Sequence, residues 1–316
     1  MTGVLRSINY FTTKQMNNIV KFTGDDQPIH FGWELIDTCQ YRCSYCYFLK
    51  SLKKRPTEKY LNNYRTVLSR LKPKKIGEYN LELLGGEPTN HPFLTTILQE
   101  MESIDNCLSV ELVTNFARPV EQYYCLSEYD KLKISISCHP EYVKRESFIE
   151  KCLNIDKKIP NNIQVNVNMI HDKKYWEDIK MIIDDLLSMD IYTRCNFIHP
   201  VENVYDELYT DEFYVYFDEH LNRCDNPEYT YQDSSGDEHK IKEHEVRRQE
   251  MFHFAGKDNC TPTMWYIDSD ARFYNYCTGE ELDLLGSNIK NTVVCPVDRG
   301  CKDCNMLLNY NKELIK

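Results

Sequence analysis

The strongest constraint on the fold is a regular alternation of two patterns between residues 31 and 200. Short runs rich in β-branched and aromatic residues recur at 31–36, 79–84, 109–114, 131–137, 163–170 and 192–198. Segments with apolar residues at helical spacing separate these runs, and the clearest contains Trp176, Ile179 and Ile183. Such strand–helix alternation predicts a parallel sheet with right-handed crossovers. These units are too few for a closed eight-stranded barrel, so the sequence predicts an α/β protein with a partial (β/α)6 TIM-like barrel.

The pattern changes after Pro200. Residues 205–223 are predicted to be helical, residues 224–245 are polar with a loop at 233–237, and the chain becomes cysteine-rich from Cys260 onward. We therefore predict an N-terminal extension, a barrel, a connector of helix and loop, and a small C-terminal domain, at residues 1–30, 31–204, 205–254 and 255–316. The last of these is expected to depend on metal for its fold.

Size and charge restrict the class of protein. The chain has 316 residues, of which 41% are hydrophobic and 28% charged, as expected of a globular protein with a sizeable core. No apolar run is long enough to cross a membrane, and residues 1–18 lack the apolar segment of a signal peptide, so we expect a cytoplasmic protein with no membrane partner. The net charge of −11 makes nucleic acid an unlikely partner.

Three of the 14 cysteines form a compact motif directly after the first predicted strand. Cys39, Cys43 and Cys46 have the spacing C-x3-C-x2-C. Three thiolates on a short loop can hold three irons of a [4Fe–4S] cluster and leave the fourth iron open to a ligand. The alternative is a structural zinc site, which prefers four closed ligands and paired C-x2-C spacing.

This triplet, placed after the first strand of a β/α barrel, resembles the signature of the radical S-adenosylmethionine (SAM) superfamily. The resemblance implies that the open iron chelates SAM. It also implies that an electron, from a donor such as flavodoxin or ferredoxin, cleaves SAM to a 5′-deoxyadenosyl radical that abstracts a hydrogen from the substrate. Tyr45, the residue before the third cysteine, then lies near the adenine.

Further motifs at predicted strand ends agree with this resemblance. Gly85, Gly86 and Glu87 follow the second strand and resemble the family's GGEP motif, in which backbone groups and a carboxylate can bind an ammonium group. Asn115 belongs to a Thr-Asn pair that the family often carries near the active site, and Ser137 ends the fourth strand, where SAM commonly finds a polar contact. The alternative for each is an ordinary turn or strand-end polar group.

Three further residues are candidates for catalysis. His139 and His199 follow the fourth and sixth strands, where either could transfer a proton at the barrel mouth. Cys138 lies close to the same mouth. The alternative for all three is a structural side chain.

A second group of cysteines lies near the C-terminus. Cys260 and Cys277 bracket two short predicted strands joined at 268–271, and Cys295, Cys301 and Cys304 follow, which suggests one closed metal site with a spare thiol. Zinc is the alternative on spacing alone.

This C-terminal arrangement resembles the twitch, or truncated SPASM, extension of many radical SAM enzymes. That resemblance implies an auxiliary [4Fe–4S] cluster on Cys260, Cys277, Cys301 and Cys304, with Cys295 ambiguous. Ala271 stands where the family's hairpin usually has glycine.

The superfamily does not fix the substrate. Enzymes with an auxiliary cluster commonly modify peptides, so a peptide is the favoured prediction. The first alternative is a dehydrogenase or epimerase of a small molecule, such as a sugar or an antibiotic precursor. A zinc-binding interaction protein without catalytic activity is the alternative from another class.

Overall fold

The computed structural model describes residues 19–23, 28–46, 56–160, 162–198, 228–233, 235–242, 258–262, 264–275, 293–294 and 310–314, and the single residues 212, 215, 216, 220, 224 and 281. The strands in chain order are β1 (Ile19–Thr23), β2 (Ile29–Ile36), β3 (Tyr79–Gly85), β4 (Cys107–Thr114), β5 (Leu132–Cys138), β6 (Ile163–Met169), β7 (Thr193–Phe197), β8 (Glu228–Asp233), β9 (Glu238–Lys242), β10 (Asp258–Pro262), β11 (Met264–Ile267), β12 (Phe273–Asn275), β13 (Val293–Val294) and β14 (Tyr310–Leu314). The helices are α1 (Thr57–Leu71), α2 (Leu94–Glu102), α3 (Arg145–Lys158) and α4 (Trp176–Ser188). Short 3-10 helices span Lys74–Ile76, Pro88–Asn90, Val120–Glu128 and Lys173–Tyr175.

The larger sheet has the order β12-β11-β2-β3-β4-β5-β6-β7. Strands β2 to β7 are parallel neighbours in chain order, with helices in the crossovers. All six predicted strands are present, with ends within two residues of the predicted ones. The architecture is a mixed α/β fold with a mostly parallel sheet, which matches the predicted partial TIM-like barrel.

The two faces of this sheet differ in chemistry because successive strand residues point to opposite sides. One face is apolar and packs against the helices, as shown by Phe31, Leu83 and Ile136, which are all buried in one continuous core. The opposite face carries hydrogen-bonded polar side chains, including Glu111, Gln164 and Asn166. A closed barrel would fill this inner face with apolar branched residues. The polar lining is therefore consistent with an open barrel.

The helices cover the apolar face through residues at helical spacing. In α4, Trp176, Ile179, Ile183 and Leu186 are all buried, as their spacing predicts. Helix α3 packs beside α4 and buries Phe148, Ile149, Cys152 and Ile155. Within the described residues, no helix is both long enough and apolar enough to span a membrane.

The predicted hairpin near the C-terminus forms and joins the edge of the barrel sheet. β11 pairs in parallel with β2, placing Trp265 opposite Phe31, and β12 pairs antiparallel with β11. In the connecting turn, Asp268 accepts hydrogen bonds from the backbone nitrogens of Asp270 and Arg272, at 2.9 and 3.0 Å. This pairing across more than 200 residues gives the barrel sheet two further strands.

A second, antiparallel sheet has the order β13-β10-β14-β1-β8-β9. Its strands come from residues assigned by sequence to the N-terminal extension, the connector and the C-terminal domain, so these boundaries stay predictions. The predicted loop at 233–237 connects β8 with β9. Most of the helix predicted at 205–223 lies outside the described residues, although 212, 215, 216 and 220 are helical.

The turn of the β11–β12 hairpin holds Ala271 in a backbone conformation that glycine adopts more readily. Ala271 is 5% exposed and has a φ of 64°, in the left-handed region that costs other residues about 1–2 kcal/mol. We expect Ala271→Val to lower the free energy of unfolding by roughly 2 kcal/mol, because a β-branched side chain tolerates this region poorly. Ala271→Gly should change it by less than about 1 kcal/mol, since relief of strain offsets the lost methyl group and the greater freedom of the unfolded chain. Urea unfolding of the two variants measures both, and equal losses would contradict the left-handed geometry.

Candidate metal centre

Most of the predicted site residues that the structure describes lie at the carboxyl ends of β2, β3, β4 and β5. The segment Asp37–Cys46 follows β2 and is called the cysteine loop here. Short loops after β3, β4 and β5 begin at Gly86, Asn115 and His139. Parallel strands bring their carboxyl ends to one edge of the sheet, which is why residues distant in sequence converge there.

Backbone contacts fold the cysteine loop into a tight turn. The backbone nitrogen of Cys46 donates to the carbonyl of Cys43 at 3.1 Å, and that of Tyr41 donates to the Cys39 sulfur at 3.3 Å. The Arg42 guanidinium donates to the carbonyls of Cys39 and Tyr41, the latter at 2.7 Å. Cys43 is buried, whereas Cys39 and Cys46 are partly exposed.

Burial raises the pKa of the Cys39 thiol, and it raises that of Cys43 to about 12. Thiols of this kind are protonated at neutral pH and lose their protons when a metal cation binds. The donor set consists of three sulfurs, and the backbone nitrogen of Tyr41 donates to the sulfur of Cys39. Such a set suits the iron of an iron–sulfur cluster. Within the part of the chain that the structure describes, no three His, Cys, Asp or Glu side chains are placed to hold a single metal ion. The assignment of Cys39, Cys43 and Cys46 as cluster ligands stays a prediction.

Two glycines allow the end of β3 to lie directly against the end of β2 and the start of the cysteine loop. A Cβ atom at Gly85 would lie 2.4 Å from the carbonyl oxygen of Ile36, and one at Gly86 would lie 2.2 Å from that of Thr38. The backbone nitrogen of Gly86 donates to Ile36 at 2.7 Å. Any side chain would break this contact, so the glycines are required by packing, and their predicted contact with SAM stays a prediction.

Glu87 is buried and joins the ends of β3 and β4. Its Oε1 accepts hydrogen bonds from the backbone nitrogen of Thr89 at 3.1 Å, from the Thr89 hydroxyl at 2.6 Å and from the Thr114 hydroxyl at 2.7 Å. Its Oε2 accepts from the backbone nitrogen of Asn115 at 2.8 Å. Burial raises the pKa of Glu87, while these donors oppose that shift. Both oxygens thus have partners within the protein, and the contact with the SAM ammonium stays a prediction.

The chain leaves β4 through a strained residue. Phe116 has a φ of 54° and is 2% exposed. Lys151 lies 4.4 Å from the centre of its ring and donates a hydrogen bond to its carbonyl. A left-handed residue without glycine's freedom is typical of positions that the surrounding structure holds in place, often at functional sites. Here it redirects the chain immediately after Asn115.

The loop after β5 supports the cysteine loop from the other side. The Nδ1 of His139 lies 2.9 Å from the Tyr45 hydroxyl and 3.4 Å from the Cys43 sulfur, and the Tyr45 and His139 rings stack with their centres 6.0 Å apart. Burial lowers the pKa of His139 to about 4, so the ring is neutral at neutral pH. His139 is therefore a neighbour of the cysteine loop, and its predicted catalytic role stays a prediction.

Two residues of this loop that the sequence analysis did not predict contact the cysteine loop. Glu141 accepts hydrogen bonds from the backbone nitrogen of Ser44 at 2.8 Å and from its hydroxyl. The Tyr142 hydroxyl accepts from the backbone nitrogen of Arg42 at 2.8 Å, and its ring stacks on Tyr41 with the centres 4.2 Å apart. Their position two and three residues after His139 is the signal that could have revealed them.

The remaining predicted site residues lie in different surroundings. Ser137 is partly exposed at the end of β5. Cys138 is fully buried in the apolar core, and burial raises the pKa of its thiol well above the ordinary value. The backbone of Cys260 lies in β10. His199, Cys277, Cys295, Cys301 and Cys304 lie outside the described residues. These assignments stay predictions.

The inner face of the barrel carries a carboxylate pair. Glu82 and Glu111 lie opposite each other on β3 and β4, and Glu111 accepts a hydrogen bond from Gln164 at 2.6 Å. His30 lies 4.0 Å from Glu82 on the other side. Burial, and secondarily the charge of Glu111, raises the pKa of Glu82 from 4.5 to about 8. Glu82 therefore retains its proton near neutral pH.

This carboxylate pair predicts a pH dependence of stability. The folded state holds the Glu82 proton more tightly than the unfolded state does, so its contribution is complete below about pH 4.5 and is lost as the pH rises through about 8. We expect Glu82→Gln to be more stable than the wild type at pH 8.5 and to lose less stability between pH 5 and 8.5. Denaturant unfolding at both pH values measures this. The exposed Glu128→Gln is the control, and equal pH profiles for the wild type and Glu82→Gln would contradict the shift.

Known proteins resemble this chain in part of its sequence and in its fold. No family model matches the sequence. A GTP 3′,8-cyclase of Limosilactobacillus fermentum (strain NBRC 3956 / LMG 18251) is 26% identical over 166 residues, which are 51% of this chain and 49% of that protein. The chain thus matches about half the length of this curated relative.

Solved structures show the same fold. anSMEcpe with bound AdoMet has a TM-score of 0.52 and 14% identity, and the match covers 87% of this chain and 79% of that one. SuiB of Streptococcus suis has a TM-score of 0.51 and 13% identity, with 89% and 65% covered. At this identity the likeness establishes the fold alone. Together with the cyclase match it supports the resemblance to the radical SAM superfamily that the cysteine motif indicates.

Proposed function

We propose that this protein is a radical SAM enzyme that cleaves SAM reductively and abstracts a hydrogen from a peptide substrate. The observation that carries the proposal is the position of the cysteine loop. Cys39, Cys43 and Cys46 lie at the carboxyl edge of a partial barrel, and the loops after β3, β4 and β5 all contact the segment that holds them.

Each residue at this edge has a definite task in the proposed site. Cys39, Cys43 and Cys46 hold the cluster, which together with SAM supplies an electron and a 5′-deoxyadenosyl radical when bound. Tyr45 is fixed by its stacking on His139 and forms one wall for the adenine. Gly85, Gly86 and Ser137 present polar groups to SAM at the same edge. Glu87 orients Asn115 and contributes negative charge near the SAM ammonium.

The polar side chains on the inner face of the barrel are suited to binding a polar substrate. Glu82, Glu111, Ser135 and Gln164 line this face and offer both donors and acceptors of hydrogen bonds. A peptide presents amide groups that such a surface can bind. anSMEcpe has also been solved with bound AdoMet and the Cp18Cys peptide, at a TM-score of 0.52 and 14% identity to this chain. This neighbour favours a peptide for the present chain.

A small molecule is the second candidate substrate. The sequence relative is a GTP 3′,8-cyclase, and its match covers 51% of this chain. A dehydrogenase or epimerase of a sugar or an antibiotic precursor belongs to the same group of candidates.

We also propose an auxiliary [4Fe–4S] cluster near the C-terminus, held by Cys260, Cys277, Cys301 and Cys304. The spacing of these cysteines supports it. The short hairpin predicted between Cys260 and Cys277 is present, with Ala271 in the left-handed conformation. Structural zinc is the alternative occupant of this site.

Removal of the three barrel cysteines tests the main proposal. Replacing Cys39, Cys43 and Cys46 with alanine should abolish formation of 5′-deoxyadenosine from SAM under anaerobic conditions, with dithionite or reduced flavodoxin as the electron donor, because the cluster loses its ligands. Chromatographic quantification of 5′-deoxyadenosine measures this. Cys125→Ala, at an exposed cysteine on the Val120–Glu128 helix, is the matched control and should retain activity. Continued SAM cleavage by the triple variant would refute the assignment.

Iron analysis tests the auxiliary cluster. The reconstituted wild type should contain about eight irons, and the triple variant should keep about four, because the two sites bind separately. Cys295→Ala should leave the iron content unchanged, since Cys295 is the spare thiol. Loss of about four irons in Cys295→Ala would mean that the ligand set is wrong. Zinc in place of the remaining iron would identify the C-terminal site as structural.

A further inference from the structure

We propose that a directed chain of hydrogen bonds, starting at Arg118 and ending at the sulfur of Cys39, polarises this cysteine and raises the reduction potential of the cluster. The inference rests on the proposed function, because it concerns the cluster that Cys39 would help to hold. It assigns positioning roles to Arg118, Asn90 and Gln40, and it gives Asn115 a role toward the cysteine ligand.

This series of hydrogen bonds consists of four consecutive contacts. Arg118 Nη2 donates to Asn90 Oδ1 at 3.0 Å, and Asn90 Nδ2 donates to Gln40 Oε1 at 3.0 Å. Gln40 Nε2 then donates to Asn115 Oδ1 at 3.0 Å, and Asn115 Nδ2 donates to the Cys39 sulfur at 3.4 Å. We call this series the amide chain. It connects the loops that follow β4, β3 and β2.

The direction of the amide chain is fixed at its start. A guanidinium can only donate hydrogen bonds, so Asn90 must turn its carbonyl oxygen toward Arg118 and its NH2 group toward Gln40. The same reasoning fixes Gln40 and then Asn115. A second observation fixes Asn115 independently, because the backbone nitrogen of Ala117 donates to its Oδ1 at 3.0 Å. The NH2 group of Asn115 therefore faces the sulfur.

Asn115, the last donor of the amide chain, is also its most buried donor, and this burial strengthens its contact with the Cys39 sulfur. Gln40 is exposed, Asn90 and Arg118 are partly exposed, and Asn115 is only 6% exposed. Hydrogen bonds in series polarise one another, and they are stronger where water is excluded. The positive charge of Arg118 thus favours negative charge on the Cys39 sulfur without a direct contact. The backbone nitrogen of Tyr41 adds a second donor to the same sulfur at 3.3 Å.

The consequence for the cluster follows from charge. Reduction adds negative charge to the cluster and its sulfurs, so hydrogen bonds to these sulfurs favour the reduced state. Loss of the polarising charge, or a break in the series, should lower the reduction potential. A break should not remove any of the three cysteine ligands, so the cluster should still assemble.

Two substitutions break the amide chain at different points. Arg118→Met removes the donor at the start, and Gln40→Met interrupts the series between Asn90 and Asn115. In each variant, the ratio of reduced to oxidised cluster at a fixed potential should fall by roughly threefold to tenfold, and a tenfold change corresponds to 59 mV for a one-electron couple. Arg118→Lys keeps a group that can only donate and should restore most of the ratio.

The matched control is Gln122→Met. Gln122 accepts a hydrogen bond from Arg118 Nη1 at 3.1 Å but lies outside the amide chain, so this variant should keep the wild-type potential. The measurement is a potentiometric titration followed by electron paramagnetic resonance, with iron content determined on the same samples. The relevant signal is the one absent from the variant that lacks Cys39, Cys43 and Cys46.

The outcomes separate this inference from the proposed function. If the wild type binds no iron at the three cysteines, the proposed function fails. If Arg118→Met and Gln40→Met carry the cluster at the wild-type potential, the inference is overturned and the proposed function stands. Loss of iron in these two variants alone would show that the amide chain supports the fold of the site and does not tune its potential, which also overturns the inference.

Discussion

The buried carboxylate of Glu87 is the interaction on which the geometry of the site depends. Its four hydrogen bonds connect the loop after β3 to the end of β4, and the backbone nitrogen of Glu87 also donates to Thr38 in the cysteine loop at 2.8 Å. Hydrogen bonds to a charged group contribute about 1.5–3 kcal/mol each, whereas a buried charge without partners is costly. Through its carboxylate and its backbone nitrogen together, Glu87 therefore holds three strand ends in one arrangement. Asn115 reaches Cys39 because its own backbone is bound to Glu87.

The sequence was sufficient for the parts of the fold that repeat. Six strands could be predicted because their apolar runs are short and bounded by polar turns, and the helix at Trp176 shows its buried face directly as spacing. The cysteine triplet and the Gly85–Gly86 pair could be located for the same reason, since each is a local motif. The parallel order of the strands then follows from the connections, because each pair of strands is joined by a crossover.

Contacts between distant segments could not be predicted in this way. The pairing of β11 with β2 leaves no periodic signal, because it depends on the match between two apolar surfaces more than 200 residues apart. The contacts of Glu141 with Ser44 and of Tyr142 with Arg42 each join side chains and backbone about 100 residues apart. Likewise, Asn90, Gln40 and Arg118 are ordinary polar loop residues in the sequence. Only the geometry shows that they form one series with a fixed direction.

The position of the β11–β12 hairpin connects the C-terminal part of the chain with the cysteine loop. Without it, β2 would be an edge strand with unpaired backbone groups, and the cysteine loop would begin at the least supported position of the sheet. With β11 in place, the Ser269 hydroxyl donates to Asp37 Oδ2 at 3.4 Å, and Tyr60 of α1 donates to Asp37 Oδ1 at 3.5 Å. Asp37 is the first residue of the loop and is 6% exposed. The hairpin thus also fixes the start of the cysteine loop, through contacts of only a few residues.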